Sequence, residues 1–478
     1  MLTTDVPRPR AETGAVRHIA PEERRAAGRQ LRRQVPLETH AQCPAPSPGR
    51  DAQRLLTEQD ATRVAELVPI RYGRMGSSPF SYYRGAARVM AADLAGTPRS
   101  GLVAQMCGDA HVANFGFFGS PERRLIFDAN DFDETLPGPF EFDVKRLVAS
   151  LAVAARENGV PRKRRRAIAT AAAARYRTAM AEFATARDLD VWYSHIDADD
   201  LFREIAPRLR PGRRERLARA LAKARTRDST EAFGKLTELV DGRPVIRSQP
   251  PLLVPIRELL PEAEGHDLAE TFHVLIRQYR GSLQSDRRAL LERYSFVDMA
   301  RKVVGVGSVG TRCWVVLLTG RDVDDALLLQ VKEAGQSVHA PHLGPSRYDN
   351  QGQRVVAGQR LMQQASDIFL GWQRATGIDG ARRDFYVRQL RDWKGSLAIE
   401  ELRPSGLQLY GEVCAWCLAR AHARSGDRIA VAAYLGSSNR FENALADFAE
   451  AYADLTESDH GRLAAAVTAG EVAAQQQI

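Results

Sequence analysis

The order of two polar constellations constrains this chain more than its composition does. The first, Gly108-Asp109-Ala110-His111-Val112-Ala113-Asn114, follows directly on the apolar run Leu102–Cys107. The second comes about 200 residues later: Gly305-Val306-Gly307-Ser308-Val309-Gly310 lies between Val303-Val304 and the run Cys313–Leu318. Lys332 then sits in a further apolar run, Leu327-Leu328-Leu329-Gln330-Val331-Lys332. If both serve one site, the fold must bring two distant stretches of chain to one cleft.

Each constellation suits a chemistry. Asp109 and Asn114 are five apart (114 − 109 = 5). In kinase-type phosphotransfer an aspartate receives the acceptor's proton, and an asparagine a short loop away holds a metal on the nucleotide phosphates. Carboxylate and amide oxygens both suit Mg²⁺, a hard cation. A second metal ligand is expected in the next acidic run, where Asp128 and Asp131 compete. The spacing after Leu125-Ile126-Phe127 favours Asp128, and the shape of Asp131-Phe132-Asp133 favours Asp131. Read blandly, the Gly-Asp pair is a turn and Asp131–Glu134 a helix cap or an exposed acidic loop.

The glycine run alone is a weak signal, and its flanks decide its kind. A dinucleotide fingerprint should open a helix, whereas Thr311–Leu318 reads as a strand. A glycine loop between strands is the arrangement that covers phosphates in kinases. This places Gly305, Gly307, Ser308 and Gly310 on a nucleotide. Lys332 joins them because it is one of only seven lysines beside 61 arginines (68 − 7 = 61). A lysine in an apolar strand of such a chain suggests a point charge for the phosphates; the plain alternative is an edge residue reaching solvent.

The phosphate loop and its lysine normally precede the catalytic aspartate, and here they follow it. One active site therefore requires a circularly permuted kinase-like fold, which is physically permissible because contacts rather than chain order hold a fold. Asp143, in Pro137–Leu147, resembles the aspartate that braces the catalytic loop from below in aminoglycoside and choline kinases. Further runs carry a broader resemblance: Gly28–Arg32, Pro69–Tyr72, Tyr83–Ala86, Cys107–Gly116, Asn130–Glu134, Lys145–Leu147, Lys302–Gly310, Gln330–Ala334, Val356–Arg360, Arg388–Leu390 and Leu418–Asp427. Together they resemble the bacterial domain-of-unknown-function family 2252, over roughly residues 20 to 455. The resemblance implies a relation to the protein-kinase-like superfamily and brings no substrate with it. One departure stands out: the expected lysine-pairing helix, Arg354–Trp372, has Gln359, Gln363, Gln364 and Asp367 but no Glu. Cys107 replaces the usual His or Arg before the loop and reads as a packing residue.

The predicted fold class is α+β: a protein-kinase-like two-lobed fold, circularly permuted, with a mostly helical large lobe and a small antiparallel sheet lobe. Residues 1–50 read as a basic arm with one short helix near Glu22–Arg33. Residues 51–300 form the large lobe with the catalytic and metal-binding loops, almost all-α from Phe142 onward. Residues 301–403 form the glycine-loop lobe, with strands at Val303-Val304, Cys313–Leu318, Ala326–Val331 and Phe385–Leu390 and one helix over 354–374. Residues 404–478 supply helices that complete the large lobe.

Other features read as structural. Cys414 and Cys417 are one CxxC pair, short of ligands for zinc, and five scattered cysteines make no disulfide framework. His422–Asp427 reads as a helix end, and Arg162–Arg166 and Arg208–Arg227 as solvated helix faces. Arg71, Arg74 and Arg84 either grip a phosphate or acidic substrate, or pair with acids and cap helices. No run reaches membrane-spanning length and Met1–Gly14 has no apolar leader, so a cytoplasmic protein is expected. The expected function is ATP- and Mg²⁺-dependent phosphotransfer to a small-molecule or protein acceptor. Asp109 acts as base, Asn114 with Asp128 or Asp131 as metal ligands, and Lys332 and the glycine loop hold the phosphates. The alternatives are a non-catalytic nucleotide-binding regulatory module and nucleotidyl transfer to protein. Nucleic acid is the less favoured partner, and no membrane is expected.

Overall fold

The computed structural model describes residues 19–44, 49–208, 210–261, 275–377, 379–390 and 392–475. The architecture is mixed α+β: a helical body beside an antiparallel sheet, with smaller sheets at the junction.

The helix Phe140–Glu157 organises the helical body. It is buried on every side from Phe140 to Ala155, as a helix apolar around its circumference must be. Alanines 149, 152, 154 and 155 let the helices Arg162–Thr185, Pro404–Ser425 and Arg440–Thr468 pack close around it. Its first two turns also carry Glu141, Asp143, Lys145 and Arg146, all buried. Buried ionisable groups need partners, and these turn to the segment that precedes the helix. Glu141 accepts from the Ser100 amide, Lys145 approaches the Thr97 hydroxyl at 3.3 Å, and Asp143 and Arg146 hold residues 107–109.

The main sheet has six antiparallel strands in the order β12-β13-β11-β10-β9-β8. They are β8 (Leu253–Pro255), β9 (Ser295–Lys302), β10 (Cys313–Thr319), β11 (Ala326–Glu333), β12 (Gly371–Thr376) and β13 (Arg382–Gln389). This sheet begins earlier than the sequence suggests, and the expectation of an almost all-α stretch to residue 300 is corrected. The strand is β9, not Val303-Val304. Its register against β10 shifts at Leu317/Leu318, and such a bulge breaks the period-two pattern that betrays a strand. A hairpin, β6 (Thr237–Val240) and β7 (Arg243–Ile246), also replaces expected helix. It turns on Asp241-Gly242, both at positive φ, the signature of a two-residue hairpin turn. The predicted 354–374 helix is Gln351–Met362 followed by β12. Between them Phe369 and Leu370 turn inward, and Asp367 caps the turn by accepting from the Phe369 amide.

Four short strands join the body to the sheet: β1 (Val103–Met106) pairs with β4 (Leu136–Pro139), and β2 (Phe115–Gly119) pairs with β3 (Leu125–Ala129). The predicted arm is also corrected in part. Residues 1–18 and 45–48 lie outside the described residues, but Pro21–Gln34 is a docked helix packed on Arg428–Leu435, with Arg24 paired to Asp427 at 2.8 Å. Arg166 pairs with Asp447 on an exposed helix face, whereas Arg165 pairs with the buried Glu450. Among the described residues no helix is long and apolar enough to cross a membrane.

Candidate functional site

The loop after β1 is fixed before any ligand arrives. Asp143 accepts from the amides of Cys107 at 2.6 Å and Gly108 at 3.0 Å, so the helix start braces the loop from below. His422 supports the same carboxylate: with Tyr176 at its Nδ1, its Nε2 lies 3.2 Å from Asp143. Gly108 has φ +84°, and a Cβ there would lie 2.2 Å from the Glu134 carbonyl oxygen, so a side chain is excluded. His339 Nε2 donates to the Gly108 carbonyl at 2.7 Å.

Asp109 and Asn114 then project from this loop. Arg146 Nε holds Asp109 Oδ1 at 2.7 Å, and His111 Nε2 lies 3.8 Å from Oδ2. Burial raises the Asp109 carboxyl, and Arg146 only partly opposes it. The Asn114 side-chain nitrogen donates to the backbone carbonyls of Asp109 and Asp131, each at 3.0 Å. Because both acceptors are carbonyls, the amide orientation is fixed and Oδ1 points away from them as an acceptor.

One face of the main sheet looks onto the acidic loop. Register places Cys313, Lys332, Tyr386 and Trp372 in one row, and Val315, Gln330 and Arg388 in the next row on that face. Four polar residues on this face find partners here. Lys332 Nζ reaches Asp133 Oδ2 at 2.7 Å and Asp131 Oδ1 at 3.6 Å. The Tyr386 hydroxyl donates to Asp133 Oδ1 at 2.6 Å, and Arg388 donates to the Asn130 carbonyl and to Gln330. Burial alone would lower Lys332, but Asp131 and Asp133 more than reverse this and hold it well above its usual range. Burial acts on Asp131 in the opposite sense, and Lys332 and Arg388 outweigh it, bringing its carboxyl to about 2.

The sequence candidates therefore divide. Asp109, Asn114, Asp131 and Lys332 come together. Asp128 does not join them: both its oxygens meet Arg420 Nη2, at 2.8 and 2.6 Å, in the core, and it also accepts from the Gln364 amide. Of the two competing metal ligands, Asp131 is the one that faces Lys332, with a side chain 40% exposed. The glycine loop is seated on the helices of residues 63–85. Arg74 Nη1 donates to the Gly305 carbonyl at 2.6 Å, the Val64 amide donates to the Gly310 carbonyl at 2.8 Å, and Arg63 donates to the Val309 carbonyl. Ser308 closes the loop through its carbonyl, which accepts from Thr311. The loop remains close to Lys332, since Gly310 is three residues from Cys313, the register partner of Lys332.

Among the described residues no group of three or more His, Cys, Asp or Glu side chains is arranged to hold a metal. The donors present are Asn114 Oδ1 and the Asp131 carboxylate. Such a sparse oxygen set suits Mg²⁺, which keeps waters and takes other ligands from phosphates. Cys414 and Cys417 are buried core residues and Asp427 caps the Arg428–Leu435 helix, as the sequence suggests.

Sequence reasoning missed Asp133, Tyr386 and Arg146 as site residues. Asp133 takes the position beside Lys332 that the Gln351–Met362 helix, lacking Glu, does not fill. For Tyr386 the pattern that could have revealed it is polar residues at alternate positions in a strand, and for Arg146 the cluster of ionisable residues at the start of the Phe140–Glu157 helix.

The sequence profile of one bacterial family matches residues 63–466. The chain belongs to DUF2252. The family is described as an uncharacterized protein conserved in bacteria. No curated protein and no solved structure matches the chain, so relatives lend the kinase-type resemblance no support. The DUF2252 span opens at Arg63, beneath the glycine loop, and includes every residue of the site described above. It excludes Gly28–Arg32, which the sequence resemblance had included.

Proposed function

We propose that this DUF2252 protein is an ATP- and Mg²⁺-dependent phosphotransferase of kinase-like, circularly permuted, two-lobed design. One observation carries the reading. Lys332, on a sheet strand, meets the Asp131–Asp133 loop at 2.7–3.6 Å, and that loop is tied through Asn114 to Asp109. The lysine strand and the acidic loop, which come in inverted chain order, lie against each other, and this contact supports a permuted site.

In this reading Asn114 Oδ1 and Asp131 hold the metal on the nucleotide phosphates, while Lys332 and the glycine loop hold the phosphates themselves. Mg²⁺ neutralises charge on the transferred group. Arg146 occupies Asp109 Oδ1, which leaves Oδ2 to orient an acceptor hydroxyl and receive its proton. Catalysis is positioning and charge neutralisation.

The test is calorimetric titration of the folded protein with ATP, with and without Mg²⁺. Binding is expected to need Mg²⁺ and to weaken at least about tenfold, ~1.4 kcal/mol, in both Lys332→Met and Asp131→Asn. Absence of binding to folded wild type refutes the proposal.

A second reading, a non-catalytic nucleotide-binding module, is favoured by the lysine's partner. Lys332 is paired with the metal-loop carboxylates themselves rather than with a helix glutamate. Nucleotide binding that is indifferent to Mg²⁺, with no label transferred from γ-labelled ATP to any acceptor, supports it. Transfer from α-labelled ATP would instead identify nucleotidyl transfer to protein.

A further inference from the structure

The segment that seats the glycine loop carries more positive charge than the fold neutralises. Arg71 is held by its two Nη atoms, with Asp60 Oδ1 at 2.7 Å and Gln59 Oε1 at 2.8 Å. Arg63 reaches the same Asp60 at 3.8 Å. Arg74 is occupied by the Gly305 carbonyl. Arg84 is different: the Nε of Arg63, Arg71 and Arg84 are all buried without a partner, but among the described residues only the Arg84 guanidinium of these four arginines has neither a hydrogen bond nor a carboxylate within 4.0 Å.

The position of Arg84 gives that vacancy a meaning. It lies in the last turn of the helix Pro79–Gly85. On one side its carbonyl oxygen is 3.2 Å from where a Cβ on Gly307 would be. On the other, the preceding carbonyl, that of Tyr83, accepts from Arg146 Nη2 at 2.7 Å, and Arg146 Nε holds Asp109. The backbone at Arg84 therefore connects the seat of the glycine loop to the arginine that holds the proposed base. Asp109 and Glu400 are the acids whose fields reach its side chain, and its own charge is felt at His111. Its Nε is buried unpaired and its Nη atoms are engaged by no protein group among the described residues, and a guanidinium fork matches phosphate or carboxylate oxygens two at a time.

We propose that Arg84 is the seat of an anionic group, phosphate or carboxylate, which a ligand presents between the glycine loop and Asp109. The group belongs either to the acceptor or to the terminal phosphate of the nucleotide. The inference rests on the phosphotransfer reading only for that choice.

The test begins without nucleotide. Inorganic phosphate is titrated calorimetrically into the full chain as wild type, Arg84→Gln, Arg84→Lys and Arg187→Gln, the last an exposed arginine paired, among the described residues, only with Asp190. Saturable binding is expected, weakened at least about tenfold by Arg84→Gln, less by Arg84→Lys, and by under about twofold in Arg187→Gln. Should Arg84→Gln fail to fold, a loss of about threefold or more in Arg84→Lys, which keeps the charge but not the fork, serves in its place. A second arm compares Mg·ADP with the Mg complex of a non-hydrolysable ATP analogue. If Arg84→Gln abolishes the preference for the triphosphate, the nucleotide supplies the anion. If the preference survives and phosphate still binds beside the triphosphate, the acceptor supplies it. Equal phosphate affinity in wild type and folded Arg84→Gln, or no saturable phosphate binding by wild type, overturns the proposal. Arg84-dependent phosphate binding in a protein that binds no nucleotide sinks the phosphotransfer reading and leaves the anion site standing.

Discussion

Exchanging Asp128 and Asp131 for asparagine, one at a time, separates a carboxylate that holds the fold from one free to hold a ligand. The Asp128 and Arg420 side chains are 4% and 1% exposed, and one guanidinium nitrogen meets both carboxylate oxygens within 2.8 Å. Asp128→Asn leaves Arg420 as an uncompensated buried charge, at a cost of about 3–5 kcal/mol. If the chain of 478 residues melts as one unit, its unfolding entropy of ~2.1 cal/mol/K per residue amounts to about 1 kcal/mol/K, so Tm should fall by about 3–5 °C. A helical body of about 250 residues melting separately would show roughly twice that. Asp131 is 40% exposed, and its removal leaves Lys332 its closer partner, Asp133, so Asp131→Asn should move Tm by no more than about 1 °C. Scanning calorimetry reads the first quantity and Mg·ATP titration the second. Asp128→Asn should lower Tm and leave nucleotide affinity within about threefold, and Asp131→Asn should do the reverse. An unshifted melt for Asp128→Asn, or equal destabilisation by both changes, would show that the division of the acidic run is wrong.

Two further outcomes are expected. Burial pushes the Cys107, Cys414 and Cys417 thiols well up and both Cys313 and Cys43 to about 11, so access is what separates them: Cys43 is half-buried and the other four are buried. A thiol reagent should therefore label Cys43 first in the native protein and the other four only in denaturant. Burial also pushes the Glu134 carboxyl up to about 7. Between pH 4.5 and 7 the native state then binds a proton that the unfolded chain has released, so this group makes stability fall as pH rises through that window. Glu134→Gln should remove that part of the slope in denaturant melts, and an identical slope in both proteins would refute the assignment.

Sequence reasoning found the elements of the site better than it found their partners. Lys332 was legible because lysine is scarce, and Asp143 through its resemblance to the aspartate that braces the catalytic loop in aminoglycoside and choline kinases. The acids from Asp128 to Glu134 are nearly equivalent in one dimension. What separates them is the face each presents: Asp128 turns toward Arg420 in the core, and Asp131 and Asp133 turn toward the sheet. That choice is made by strand register and helix packing between segments up to 292 residues apart, which local periodicity does not contain. The fold was misread for a related reason. Strand β9 is hidden by its bulge, and the inward turn at Phe369-Leu370 continues the apolar pattern of the helix before it.

The helices Phe140–Glu157 and Arg162–Thr185 are covered by Pro404–Ser425 and Arg440–Thr468, which places a schedule on synthesis. At roughly 5–20 residues per second, the 218 residues between Thr185 and Pro404 (404 − 185 − 1 = 218) take roughly ten to forty seconds to be made. All six strands of the main sheet lie within residues 253–389, so the sheet has its full complement in that interval. The nascent chain thus carries a completed sheet beside a helical body whose apolar faces are still bare. A ribosome that stalls before residue 404 releases a product that chaperones must hold, because the helices that would shield it have not been translated.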